Sequence, residues 1–315
     1  MAAQYVAIDL HSSEYRYTAG AGIGDGQQVG IGYSLSTHTS HPLLWRGSAS
    51  SVVDLYTDRW VLGASAAATN GGMQAGWGTP DDNSRHALKW TGSVSSVVDL
   101  HPSGFGFSSA LGISGDQVVG FGEVPYRHAL LWTSRGVVDL NPTGFANSQA
   151  NATDGASQVG DGTSIAANGY HALLWTGSAD SVVDLHPGGD YSGSAAYGVS
   201  GGQQVGEGTV RKLTHALLWA GSAQSVVDLH PNRFHETIAL AVAAGRQVGS
   251  GTLCDGSTRH ALVWNGTAES VVDLHVFLPP GFTWSGASGV DASGNIIGTA
   301  GDTHGMSHAI LWVPQ

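Results

Sequence analysis

The chain has 315 residues, of which 41% are hydrophobic and only 11% charged, with 47 glycines; an average globular protein is roughly 25% charged. A net charge of −12 with only 12 Lys and Arg argues against gripping nucleic-acid phosphates, which takes clustered basic side chains, and against anionic lipid surfaces. No apolar run approaches the ~20 residues that span a bilayer, and the one cysteine, Cys254, cannot form an internal disulfide.

The first strand-like run is YVAIDL (5–10), with Asp9 at its end. The segment before it lacks the basic and then apolar stretches of a secretory leader, so none is expected at this end. The low charge nevertheless suits a secreted or cell-surface protein. From there the chain repeats itself. HPLLW, HALKW, HALLW, HALLW, HALLW, HALVW and HAILW close on Trp45, Trp90, Trp132, Trp175, Trp219, Trp264 and Trp312. VVDL follows each of the first six copies, and a QVG-like run precedes every one. Each unit therefore offers four short strands; in the fifth these are AAYGVS, QQVGEG, HALLW and SVVDL. Glycine-rich turns separate them, and no helical period competes. Four strands per unit of ~40–45 residues mark a propeller blade.

The seventh unit stops at HAILWVPQ, without a VVDL. Strand 5–10 supplies the missing piece and completes a last blade over 285–315. The chain 1–315 is thus expected to form one all-β domain, a seven-bladed β-propeller of four-stranded blades with 3+1 closure that leaves no open edge. In the third unit the turn after HALLW is two residues shorter. An even deletion keeps every following side chain on its face.

The pattern A-x-G-I-S, G-x-Q-V-G, H-A-L-L-W, V-V-D-L resembles the HAF repeat of bacterial, often extracellular, proteins. The likeness covers essentially the whole chain, and is weaker in the second and seventh units (MQAGWG, NIIGTAG). It implies a propeller and an exported bacterial origin. It carries over no catalytic residues.

The seven repeat histidines (His41, His86, His128, His171, His215, His260, His308) and seven aspartates (Asp9, Asp54, Asp99, Asp139, Asp184, Asp228, Asp273) fall near one rim. A ring of metal sites or acid–base pairs is one reading. The other, preferred because a copied blade copies its buried polar pairs, is a structural His–Asp bond in each blade. The register is open: with a four-residue hairpin loop His41 faces Asp54, and with six, His86 faces His101. The tryptophans are expected between blades.

Function is expected where the copies differ, on the face carrying the variable connections between second and third strands. An aromatic follows each repeat aspartate (Tyr15, Trp60, Phe105, Phe145, Tyr191, Phe234, Phe282). These read as plugs between blades, with Trp60 and Trp284 as exceptions free to stack on a sugar. The residue inside G-x-G reads Ile31, Trp77, Phe121, Asp161, Glu207, Ser250 and Thr299. That places an aromatic sector beside an acidic one, the latter either two solvated acids or a pair able to do acid–base chemistry or bind hydroxyls or Ca²⁺. The scarce cations of the variable loops, Arg85, Arg127, Arg211, Lys212 and Arg259, could orient an anion. The expectation is a non-catalytic ligand-binding propeller that takes carbohydrate, using Trp60, Trp77, Phe121, Asp161, Glu207, Trp284, Arg127 and Arg211, without a resident cofactor or metal. A polysaccharide lyase or glycoside hydrolase, or a protein-interaction scaffold, are the alternatives.

Overall fold

HALLW is apolar at consecutive positions, as a strand must be when both its faces are covered. The computed structural model describes residues 4–167, 169–256 and 258–315. It is a seven-bladed β-propeller built from seven separate four-stranded antiparallel sheets. Blades 1 to 6 span residues 15–54, 64–99, 107–139, 145–184, 191–228 and 234–273. Blade 7 takes three strands from 282–314, and its fourth, Tyr5–Asp9, pairs antiparallel with Ser307–Pro314. The ring therefore closes 3+1.

The covered strand explains the motif. Leu43, Leu44 and Trp45 are all fully buried. Leu43 and Trp45 point one way, into a cluster with Leu10, Ile297 and Leu311 of blade 7; Leu44 points the other way, toward Trp60, Leu88 and Trp90 of blade 2. Burying one such side chain contributes about 1.5–3 kcal/mol, and the arrangement recurs between every neighbouring pair of blades. The tryptophans pack between blades as expected, and the indoles of Trp132 and Trp312 also donate to the carbonyls of Leu100 and Leu274 in the preceding blade.

The glycine of QVG answers to a bulge. Each innermost strand slips register opposite the QVG glycine, for example between Ala150 and Ala152 or between Ala196 and Gly198. The slip pushes a carbonyl toward the second strand, so a Cβ on Gly160 would sit 1.8 Å from the Gln149 oxygen, and one on Gly206 1.9 Å from that of Ala195. Only glycine fits. The same bulge turns one side chain per blade into the central channel, among them Asn151 and Tyr197.

The glutamine of QVG serves a turn. Gln28, Gln74, Gln158, Gln204 and Gln247 are buried, and each accepts the N–H of the glycine that opens the turn between third and fourth strands, at 2.7–2.8 Å. Val118 and Ile296 hold the equivalent place opposite Trp132 and Trp312. Blade 3 has the shortened turn and blade 7 has none, so neither presents that N–H. The short turn keeps its faces: Asp139 pairs with Leu130 as Asp54 pairs with Leu43.

The rim network is structural. All seven repeat histidines bond through Nδ1 to the Oδ2 of their aspartate, at 2.6–2.9 Å. The other oxygen caps the N–H two residues on, as in His101 N to Asp99 Oδ1 at 3.0 Å. The register is the six-residue one. His86 stacks on His101 at 4.1 Å, and His171, His215, His260 and His308 stack likewise on His186, His230, His275 and His11. The second imidazole bonds a hydroxyl of the next blade: His101 to Ser108 at 2.8 Å, His230 to Thr237 at 2.9 Å. That hydroxyl accepts the buried N–H of the alanine in HALLW, as Ser108 does from Ala87 at 2.9 Å. The seam of blades 1 and 2 departs in three places together. The alanine is Pro42, which has no N–H; the hydroxyl position is Ala64; and the second imidazole is Tyr56, stacked on His41 at 3.9 Å.

Candidate functional site

The inner ends of blades 3, 4 and 5 carry a polar network that the repeat does not require. Arg127 leaves the third strand of blade 3 and donates to Glu123 at 2.9 and 3.2 Å and to Gln149 Oε1 at 2.8 Å. Gln149 and Asn151 lie on the innermost strand of blade 4, and both donate to Asp161 Oδ1 at 3.1 Å. Asn151 also donates to the Ala196 carbonyl of blade 5. One step further round, Tyr197 donates to Glu207 at 3.0 Å.

Above this network lies a cleft of about 350 Å³ between blades 3 and 4, floored by Arg127, Gln149 and Asp161 and flanked by Tyr126 and Tyr170, which are 62% and 63% exposed. Arg127 also walls a cleft of about 270 Å³ toward blade 2, with Arg85, Phe107 and Phe121. A third cleft, of about 220 Å³, holds Glu207, Glu236 and Arg259 between blades 5 and 6.

Electrostatics follow burial. Desolvation pushes the Asp161 carboxyl above its usual range, against the pull of the Asn151 and Gln149 hydrogen bonds and of Arg127. Burial likewise raises Glu207, and the nearby Asp161 and Glu236 add to it, while the Tyr197 bond opposes. Tyr197 itself is pushed up, first by burial and then by Glu207.

The structure sorts the sequence candidates. Asp161, Glu207 and Arg127 all line clefts, but the two acids are half-buried and hydrogen-bonded rather than solvated. Trp77 and Phe121 sit where the G-x-G pattern put them, yet guanidinium groups cover them: Arg85 lies 4.2 Å over Trp77 and Arg127 4.1 Å over Phe121. Trp284 has Arg259 at 4.9 Å. Trp60 is fully buried, packed against the Cβ position of Gly78, and is a plug like the other aromatics. Arg211 stands on an exposed turn at φ 51°, 3.8 Å from Asp190, outside these clefts. Among the described residues no group of three or more acidic, His or Cys side chains is placed to hold a metal ion.

Sequence reasoning missed Gln149, Asn151, Tyr197, Tyr126 and Tyr170. The signal was in the innermost strands, where NSQANAT carries polar side chains at positions that are Ala19 and Ala21, or Ser65 and Ala67, in the first two blades. A different trio also invites a chemical reading. Ser84 Oγ lies 3.0 Å from His86 Nε2, and His86 Nδ1 lies 2.9 Å from Asp99, the spacing of a hydrolase relay. Ser84, however, donates its proton to Asp82 Oδ1 at 2.6 Å, and His86 belongs to the sevenfold structural pair, so the trio is part of the rim.

No family model and no curated protein matches the chain. Solved structures do. The β-propeller domain of the Trilobed protease from Pyrococcus furiosus matches with a TM-score of 0.61 at 10% identity, over 97% of this chain and 96% of that one; it is described as having an open velcro topology, whereas the present ring is closed by its N-terminal strand. A puromycin-hydrolyzing peptidase of Mycobacterium tuberculosis gives 0.63 at 12%, over 94% of this chain and 50% of its own. The acylaminoacyl peptidase of Pyrococcus horikoshii gives 0.61 at 13%, over 98% and 53%. The chain thus spans about half the length of these two peptidases, and at such identities the likeness is one of fold.

These neighbours correct the carbohydrate reading. The three propellers named above come from a protease and two peptidases, and none is a lectin. The rings meant to stack on sugar faces are buried or already roofed by arginine.

Proposed function

We propose that this chain is a peptidase-associated propeller that holds peptide segments on the face carrying the clefts between blades 2 and 6. The network from Glu123 through Arg127, Gln149 and Asp161 to Asn151 is what carries the reading. A peptide main chain presents alternating donors and acceptors. The cleft between blades 3 and 4 meets it with a fixed carboxylate, amides and a guanidinium, between two exposed tyrosines that supply contact area at low entropic cost. The fold likeness to peptidase propellers supports the same reading, with the chemistry of cleavage left to a partner domain or protein.

The test is calorimetric titration with a tryptic casein digest and, separately, with a mixture of neutral and acidic oligosaccharides. Peptide binding should appear, and should weaken about tenfold in a Tyr126→Ala, Tyr170→Ala double variant, as loss of aromatic anchors does elsewhere. Oligosaccharide binding without peptide binding, or peptide affinity untouched by the double variant, would overturn the proposal.

A further inference from the structure

The cleft between blades 2 and 3 holds a cation with nothing to bond. Arg85 immediately precedes His86 on the third strand of blade 2, and its guanidinium carbon lies over the Trp77 ring, 4.2 Å from the centroid. Its carbonyl accepts Ser108 N at 2.7 Å, which ties the backbone to blade 3. The side chain makes no hydrogen bond to any described residue, although it is half-buried. A cation held over an indole ring spends no N–H on it, so the five guanidinium donors remain for a ligand. Arg127, across the cleft, spends its donors on Glu123 and Gln149. Glu123 is therefore already gripped by another fork, and the cleft keeps one uncompensated positive charge in a chain of net charge −12. Burial and the proximity of Arg127 both disfavour a charged Arg85, with Glu123 opposing. An anion bonded to those donors would relieve that penalty.

Beside Arg85, Phe107 presents a 42% exposed ring, and Thr79 and Asn83 complete the wall. A charge with an apolar neighbour is the signature of an amphipathic ligand. We infer that Arg85 receives a carboxylate whose adjacent apolar side chain rests on Phe107, the ligand being a peptide. This rests on the peptide-binding reading and deepens it. A chain terminus and an Asp or Glu side chain share the chemistry, and the assay separates them. Planar bidentate pairing is what a guanidinium fork is preorganised to give.

Three pools of N-acetylated tetrapeptides serve as probes: one ending in Phe with a free carboxylate, the same pool as C-terminal amides, and an amidated pool with Glu before the final Phe. Each is titrated into the parent and into Arg85→Gln, with Arg85→Lys as the variant that keeps the charge and loses the fork. Thermal melts confirm folding, and Arg85→Lys decides if Arg85→Gln melts early. The expected result is binding of a carboxylate-bearing pool about 10- to 100-fold tighter than the plain amide pool, an advantage lost in Arg85→Gln and reduced in Arg85→Lys. The free-acid pool winning assigns the chain terminus; the Glu pool winning assigns a side chain. Equal binding of all three pools would overturn the inference while leaving peptide binding intact. A carboxylate preference that survives both variants would place the anion elsewhere and also overturn it. Binding of no pool would sink both readings.

Discussion

Ser108→Ala tests the account of the rim most directly. Ser108 is fully buried, and its hydroxyl both accepts the Ala87 N–H of blade 2 at 2.9 Å and bonds His101 at 2.8 Å. Removing it orphans a buried N–H and strips the stacked imidazole of its anchor. A buried group left without a partner costs about 1–3 kcal/mol. With the imidazole still partly reaching water and bonded through Nε2 to the Phe105 carbonyl, about 2–4 kcal/mol in all is expected. At roughly 2.1 cal/mol/K per residue, a chain of 315 residues shifts by about 1.5 °C per kcal/mol. Scanning calorimetry should therefore show Tm falling by about 3–6 °C. The reciprocal variant, Ala64→Ser, meets Pro42 instead of an N–H donor and should gain less than about 0.5 kcal/mol, the range of changes that touch no such feature. If Ser108→Ala melts with the parent, or Ala64→Ser stabilises as much as Ser108→Ala destabilises, the hydroxyl is not answering the alanine N–H.

The stacked histidines should make the fold acid-sensitive. Burial first, and the adjoining repeat imidazole second, hold His11, His101, His186, His230 and His275 below the ordinary 6.5. A base depressed in the folded state contributes stability that is complete above its unfolded value and lost as pH falls below about 6.5, because the unfolded chain binds the extra protons. Urea midpoints should thus drop between pH 6.5 and 5, more steeply than in a His101→Asn, His186→Asn variant; a flat midpoint over that range refutes the linkage. Glu207 runs the other way. Its raised folded value costs stability once pH passes the usual 4.5, so Glu207→Gln should melt no lower than the parent at pH 7 and lose any advantage near pH 4, and a marked Tm loss at pH 7 would contradict this. Gln158→Val orphans the Gly177 N–H and should cost about 1–2 kcal/mol, whereas Val118→Gln buries an amide with no turn to serve and should also destabilise; equilibrium unfolding of the pair checks both signs.

The ring was legible because its evidence is periodic. Repeated Trp spacing, the VVDL missing from one end and found at the other, and a turn shortened by two residues together define blades, closure and face. The register was open, since loops of four and six residues read equally well until the 3-10 turn at Ala179–Ser181 and its counterparts are seen to set Asp184 opposite Leu173. The candidate acids Asp161 and Glu207 were found by position but misjudged in burial. Nothing in G-x-G tells whether a strand-end carboxylate meets water or, as here, the cross-strand Gln149 and the bulge residues Asn151 and Tyr197 of the neighbouring strand. Trp60 failed as a ligand candidate for a similar reason: its cover comes from the neighbouring blade.

Departures from the repeat fall into two kinds, and the distinction locates function better than variability does. At the seam of blades 1 and 2, Pro42, Tyr56 and Ala64 change together, and each change removes the need for another. In blade 3, Val118 accompanies a turn that no longer presents an N–H. Such compensated departures restore the structural accounting of buried donors and acceptors, and they ask nothing of a ligand. Gln149, Asn151 and Tyr197 bond Asp161, Glu207, Arg127 and the Ala196 carbonyl, partners that the repeat itself does not supply. Arg85 finds no hydrogen-bond partner among the described residues, only the ring beneath it. A half-buried guanidinium with free in-plane donors is costly to keep, and a blade copied seven times had uncharged solutions at the same place in Ser40, Thr214 and Ser307. The residue that breaks the pattern without internal repayment is therefore the one whose partner is to be sought outside the chain.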